Sequence, residues 1–411
     1  MKNSNGMKNS NVAKKKTESK EKSYIETVTD KVGEIAVHYG FTVIKPPHIV
    51  NEDITKAKPF KEYDHYEDAI EKIALTRWYM DNRMDLESQP LAVHYKKPLP
   101  GSGKKKGSKE VYGLEVMGST RGTSEALILK CTMSILEELG YKDLFLDINS
   151  IGDKESIVRF EREINGHFRK QGTTLSAKLK QDFKKNYHLV LKNTGAETKE
   201  FLQNAPATIG ALSDISRTHF KEVLESLEAF EIPYKIKPNI LSNKYYASYT
   251  VFEIRQISEK KDDDGELLAY GYRYNHLAKK IGSKREIPSI GVTILVKKSS
   301  ETTKKVAIKN IKKPRFYLVQ LGSTAKLKAL NVVEMLRRNK IPVHHSITKD
   351  KITGQLNGAE YMKSTHVLIM GQKEAIENSI VVRDIITREQ ETVQIKDLAD
   401  FLKNIDKAKK K

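Results

Sequence analysis

Apolar residues recur at helical spacing from Tyr24 to about Tyr39, at Ile25, Val28, Val32, Ile35 and Ala36, until Gly40 ends the run. FTVIKPP then reads as a strand stopped by proline, because the residue before a proline is pushed out of the α region. The next stretch, to Tyr95, is charged and weakly patterned, with IEKIALTRWYMDNRM as its best helix. A Pro/Gly/Lys loop (KKPLPGSGKKKGSKE) precedes a strand (VYGLEVMGS), a helix (SEALILKCTMSILEELG) and a strand (DLFLDINS). From about Ile151 to Leu241 the pattern turns helical, with FLQNAPATIGALSDISRTHFKEVLESLEAFEI ending at Pro233, and predicts one inserted module. YYASYTVFEIRQI and IPSIGVTILVKK return to strand-like alternation and β-branched content. Antiparallel strands interrupted by helices predict an α+β body over residues 23–298 with its helical insertion at about 151–241.

Residues 299–313 (SSETTKKVAIKNIKK) are polar and basic and read as a linker. Beyond it, RFYLVQLG, IPVHHSI and THVLIMG read as strands alternating with helices in AKLKALNVVEMLRRNK and ITGQLNGAEYMKS. SIVVRDIITREQETVQIKDLADFLKNI supplies a hairpin and a closing helix, so residues 314–411 predict a smaller α/β domain with a largely parallel sheet. Residues 1–22 hold almost no large apolar groups; they predict a disordered basic tail.

Composition adds a partner class. A hydrophobic content of 38% in 411 residues supports real cores, and 73 Lys plus Arg against 53 Asp plus Glu leave a net charge of +20. That surplus favours polyanions, nucleic acid first, through counterion release from phosphates. It is carried mostly by Lys, in tracts at Lys14–Lys16, Lys104–Lys106 and Lys409–Lys411, and an ammonium neutralises backbone phosphate better than it reads bases. No window reaches about 18 apolar residues and the first twenty lack a secretory apolar stretch, which predicts a cytoplasmic protein with no membrane partner. The single Cys131 lies in an amphipathic pattern and reads as a small core residue.

Other motifs fail on spacing. The glycines and lysines of GSGKKKGSK do not fit a phosphate loop. His344 and His345 would point to opposite faces of a strand and have no third ligand at metal spacing. Asp262-Asp263-Asp264-Gly265 lacks the rest of a calcium loop and reads as a hairpin turn.

Several strings, taken in order, resemble histidyl-tRNA synthetase from about Tyr24 to Ile405. GLEVMG (Gly113–Gly118) is similar to the strand after the second class II motif, and LDINSIGD (Leu146–Asp153) to the family's L-x-x-N-x-x-G segment. YYASYTVFEI (Tyr245–Ile254) resembles its Tyr-Tyr-x-x-Thr-Val-Phe-Glu strand, and YGYRYNHL (Tyr270–Leu277) its Gly-Gly-Arg-Tyr-Asp-Gly-Leu turn. The resemblance implies a class II body, a helical insertion and a C-terminal anticodon-binding-type domain. It also implies a homodimer formed through the first motif. Glu115, Tyr245, Tyr246, Arg273 and Tyr274 fall on positions of the family's amino-acid pocket.

The departures bear on activity. The family's Phe-Arg-x-Glu and Phe-His-Gln strings are replaced within HYKKPLPGSGKKKGSKEVYGLE, its Arg-Gly-Leu-Asp by Leu241-Ser242-Asn243-Lys244, and the third-motif arginine at best by Lys298. Its Leu-Arg-Pro-Glu-Gly-Thr string is not recognisable; IALTRWYMDNR occupies that region. Activating an amino acid with ATP needs rigid guanidinium forks where charge builds, and lysines supply only flexible point charges. YYASYTVFEI carries one residue more between the Tyr pair and Thr250 than the family does, which reverses side-chain facing unless a bulge absorbs it. The expectation is a synthetase-like protein with no catalytic residues, cofactor or metal, binding tRNA or structured RNA, with Lys104, Lys105, Lys106 and Lys109 placed to touch it. Two alternatives stand beside it: a divergent active histidine–tRNA ligase using ATP and magnesium, and a synthetase-like regulatory subunit of ATP phosphoribosyltransferase. The C-terminal domain argues against the second.

Overall fold

In the strand Lys109–Met117, Tyr112, Leu114 and Val116 enter one apolar core while Met117 belongs to another, the period-two alternation of a sheet covered on both faces. This is a computed structural model, which describes residues 24–61, 66–97, 109–171, 175–191, 195–243, 245–257, 265–308, 315–349 and 351–408. The expected N-terminal tail, Lys104–Lys106, Lys244, Asp262–Asp264 and Lys409–Lys411 lie outside the described residues.

The body is built on eight strands: β1 (Thr42–Val43), β2 (Leu91–Lys96), β3 (Lys109–Met117), β4 (Leu144–Gly152), β5 (Tyr234–Ile236), β6 (Ser248–Gln256), β7 (Glu266–Arg273) and β8 (Ser289–Lys297). Their order across the sheet is β1-β2-β3-β8-β7-β6-β4-β5. The six central strands pair antiparallel, and only the short edge strands β1 and β5 pair parallel. This is the expected α+β body.

One face packs on the helices Thr123–Glu138 and Asp214–Ala229, the latter capped by Ser213, whose side chain accepts from the Ser216 N–H. The other face carries the helix Tyr66–Asp81 and the insertion helices Lys154–Gln171, Ala177–Lys185, Tyr187–Leu191 and Ala196–Gln203. Cys131 is buried in the first core, and burial pushes its thiol up.

Two expectations change. The N-terminal helix spans only Lys31–His38: Asp30 caps it by accepting from the Gly33 N–H at 3.1 Å, and Val28–Thr29 pairs as a strand with Val306–Ala307. The stretch expected to link the domains thus begins with a capped turn, Ser300–Thr303, and then joins this strand pair. The C-terminal sheet is mixed. Phe316–Gln320 pairs parallel with Val343–His345 and His366–Met370, but Ser379–Asp384 and Gln390–Gln394 add antiparallel, because a two-strand hairpin needs no crossover. Phe316, Leu318, Leu330 and Val333 of this domain share one apolar core with Leu127 and Ile128 of the body.

Candidate functional site

The helix Tyr66–Asp81 lays Asp68, Glu71 and Lys72 along one side, since residues three and four apart are neighbours on a helix. Lys97, just past β2, and Glu115, on β3, meet them from the sheet. The Lys97 ammonium lies 2.6 Å from Asp68 Oδ1, 2.6 Å from Glu71 Oε2 and 2.8 Å from Thr293 Oγ1. Asp68 also accepts from the Tyr272 and Thr293 hydroxyls, each at 2.6 Å. Lys72 donates to Glu115 Oε1 in a short contact, and the Tyr274 hydroxyl donates to Oε2 at 2.8 Å. Tyr95 closes the ring with its hydroxyl 3.4 Å from Glu115 Oε1.

All of these charged groups are buried, Glu115 completely. Burial alone would raise Asp68; Lys97 and Lys72 instead hold it well below the usual carboxylate range. Lys97 is raised, because the pull of Asp68 and Glu71 overcomes its desolvation. Glu115 and Glu71 are held above their ordinary value, burial outweighing their lysine partners. Lys72 and Lys97 face Asp68, Glu71 and Glu115, so the chain supplies its own countercharges here. Space is equally committed: a Cβ on Gly291 would lie 1.7 Å from Glu115 Oε2 and 2.4 Å from Lys72 Nζ. Both oxygens of Glu115 are thus engaged by groups of the chain itself, Oε1 by Lys72 and Oε2 by Tyr274.

Of the residues read from the sequence, Glu115 and Tyr274 come together. Tyr246 stands one layer out, its hydroxyl 3.4 Å from that of Tyr272 and its ring edge-on to Phe60 at 4.9 Å. Tyr245 turns outward, 45% exposed, against Phe60 and a cleft edged by Arg169 and Lys184 of the insertion. Arg273 does not join them. It lies on the opposite face, fully buried, with Nε 2.7 Å from Glu125 Oε1 and its other nitrogens donating to the Ser119 and Arg121 carbonyls at 2.6 and 3.1 Å. His219 completes this second network at 2.8 Å from Glu125, whose carboxyl Arg273 and His219 pull down to about 2 against burial.

The extra length of YYASYTVFEI is absorbed as a bulge: Ser248 pairs with Arg273 and Val251 with Tyr272, leaving Tyr249, at φ +54°, and Thr250 between them. Lys109 opens β3 and pairs with exposed Glu266 at 3.0 Å. Lys104, Lys105 and Lys106 lie outside the described residues.

Sequence reading missed Asp68, Glu71, Lys72 and Lys97. The signal was a helix with charges at helical spacing on a side that also carries Leu75 and Thr76; such a face is usually taken as solvated, and here it is buried against a polar sheet. Among the described residues no three His, Cys, Asp or Glu side chains gather as a metal site would require. None of the described helices is long and apolar enough to cross a membrane.

Comparison with known proteins gives a consistent result. A family model described as an anticodon binding domain matches residues 305–405. The histidine–tRNA ligase of Listeria innocua is 27% identical over 344 residues, covering 82% of this chain and 80% of the relative. The chloroplastic histidine–tRNA ligase of Porphyra purpurea is 25% identical over 95% of this chain and 94% of its own. Among solved structures, apo histidyl-tRNA synthetase of S. aureus aligns over 98% of this chain and 99% of that one, with a TM-score of 0.50 at 21% identity.

Proposed function

Starting from a chain that belongs to the histidyl-tRNA synthetase family, we propose that it binds tRNA or a tRNA-like RNA without charging it. The observation that carries the loss of charging is the Glu115 carboxylate: it falls on the family's amino-acid pocket, yet Lys72 and Tyr274 already occupy it inside the fold. A site that must grip a substrate cation cannot spend its carboxylate on an internal lysine and keep the same affinity. The substitution of lysines for the family's arginines in the second and third motifs supports the same reading.

RNA binding rests on the anticodon-binding match over residues 305–405 and on the +20 charge. Lys109, whose side chain makes a solvent-accessible ion pair with Glu266, can exchange that partner for a phosphate at little loss. In this reading the body is a dimeric platform, the protein works in the cytoplasm and no cofactor is needed. A filter-binding titration against tRNA across a salt series tests the binding half. Affinity should fall about 10³-fold or more between about 50 and 200 mM salt if six or more phosphates are contacted. Weak binding without a salt slope would remove the proposal.

A further inference from the structure

The seam between the domains holds a cleft edged by Trp78, His344 and His345, but Glu87 and Lys349 share its lining, so it selects no ligand charge. The outer edge of the C-terminal sheet is more specific. Gln390–Gln394 is the last strand of that sheet and has a neighbour on one side only, Ser379–Asp384. An edge strand offers unpaired N–H and C=O groups to any second strand, and folded chains ordinarily shorten such edges or cover them. Three of the four edges of the two large sheets follow that rule. Thr42–Val43 and Tyr234–Ile236, at the ends of the body sheet, have two and three residues, and Val343–His345 has three, with Val343 and His345 buried. Gln390–Gln394 has five, contains neither Lys nor Pro, and pairs with its neighbour without a bulge; Val393 is buried and the other four are exposed.

The direction of its backbone groups follows from the register. The Asp384 N–H donates to the Glu389 carbonyl at 3.0 Å and the Ile395 N–H to the Asn378 carbonyl at 2.9 Å, which makes Val382–Glu391 and Ile380–Val393 the hydrogen-bonded pairs in between. Such pairs alternate along an antiparallel ladder with pairs whose groups point apart, so Gln390, Thr392 and Gln394 turn their N–H and C=O groups to the free edge.

We propose that this edge pairs antiparallel with the same edge of a second copy of the chain, about a twofold axis at Thr392. The string QETVQ is complementary to itself in that register: Thr392 faces Thr392, Gln390 faces Gln394, and Glu391 faces Val393 of the second copy. Hydroxyl and amide groups then meet their own kind, and no carboxylate stands opposite another. An axis one residue earlier, at Glu391, would set two carboxylates face to face, and one residue later, at Val393, it would run the pairing into the helix Ile395–Ala408. A single edge of this length buries less than the roughly 1,200 Å² of a stable interface, so the association is weak and reversible. It goes beyond the tRNA reading and does not depend on it.

Sedimentation equilibrium of the full-length chain between about 5 and 200 micromolar measures the association. The average mass should rise about twofold or more across that range, whichever oligomer is present at its lower end. Thr392→Pro removes the central donor from the free edge and spares the ladder with Ser379–Asp384, because that N–H points outward. It should keep the low-concentration mass throughout, with an unchanged melting temperature. Thr392→Cys tests the register: a hydrogen-bonded antiparallel pair sets its Cα atoms about 5.5 Å apart, inside the span of a disulfide, so mild oxidation should link two chains. Glu391→Cys sets its two thiols out of step and should link about tenfold more slowly. Cys131 is buried and does not compete. A mass independent of concentration, a Thr392→Pro protein that still associates, or Glu391→Cys linking as fast as Thr392→Cys would overturn the proposal. Absence of tRNA binding on filters would remove the function proposed above and leave these masses unchanged.

Discussion

Lys72 and Glu115 form a buried pair in which each residue is the other's solvent. Removing one partner leaves an uncompensated charge, so Lys72→Ala should destabilise the protein by about 3–5 kcal/mol in urea unfolding. The double variant Lys72→Met with Glu115→Gln should recover most of that loss, because it removes both charges and keeps the volume. An additive or worse double variant would mean the two do not act as a pair. Glu115 and Tyr274 were legible in the sequence because they sit in strings that resemble the family. Lys72 and Lys97 were not, because no local pattern shows that a charged helix face will be buried against Glu115 of a strand more than forty residues on and against a lysine just past β2. Arg273 was legible as a position but not as a direction. One step along β7 turns a side chain to the other face, and Arg273 serves Glu125 while its neighbours Tyr272 and Tyr274 serve Asp68 and Glu115.

At the scale of elements, β6 shows how an insertion is tolerated. The bulge keeps Val251 facing the insertion core and Phe252 the opposite core, with the extra length taken up at Tyr249 in the left-handed region. A β-branched residue adopts that conformation poorly and an asparagine adopts it readily. Tyr249→Val should therefore be less stable than Tyr249→Asn by about 1–2 kcal/mol in chemical unfolding, and equal stabilities would show that the bulge relaxes elsewhere. Most strands and helices could be read from periodicity. The N-terminal helix could not be bounded, because its first residues are drawn into a strand by Val306–Ala307, nearly three hundred positions on, and Asp30 is recruited both as cap and as acceptor for the Tyr112 hydroxyl at 2.7 Å. The mixed order of the C-terminal sheet has a similar origin: the hairpin was visible in the sequence, but its edge of attachment is decided by packing between distant strands.

The two domains of the whole molecule are joined through a continuous core and a polar seam. Across that seam Tyr39 donates to Glu334 Oε2 at 2.9 Å, and Arg337 bridges Glu334 at 2.8 Å and Glu138 at 3.1 Å. Burial pushes Glu334 up, but Arg337 and Arg338 bring it down to about 2, so this lock persists until strongly acid pH. The seam histidines behave differently. Burial lowers His38 and His344 to about 4 and His345 to about 3, below an ordinary 6.5. Their neutral forms are favoured in the closed seam, so their contribution is complete above about 6.5 and is lost as pH falls towards about 4. Acidification from pH 7 to 5 should shift Trp78 emission before far-ultraviolet circular dichroism changes. Emission that stays constant until the whole fold is lost would show that these rings do not gate the seam.

The self-satisfied sheet face makes a sharper demand on the molecule. With Glu115 bound to Lys72 and no arginine forks in the second and third motifs, histidine should not be activated. Histidine-dependent exchange of pyrophosphate into ATP, measured on the full-length chain, addresses this without any assumption about the RNA. The expected result is exchange indistinguishable from a reaction lacking histidine. Exchange at the rate of an ordinary synthetase would contradict the account, because Lys72 would then have to leave Glu115 in every turnover.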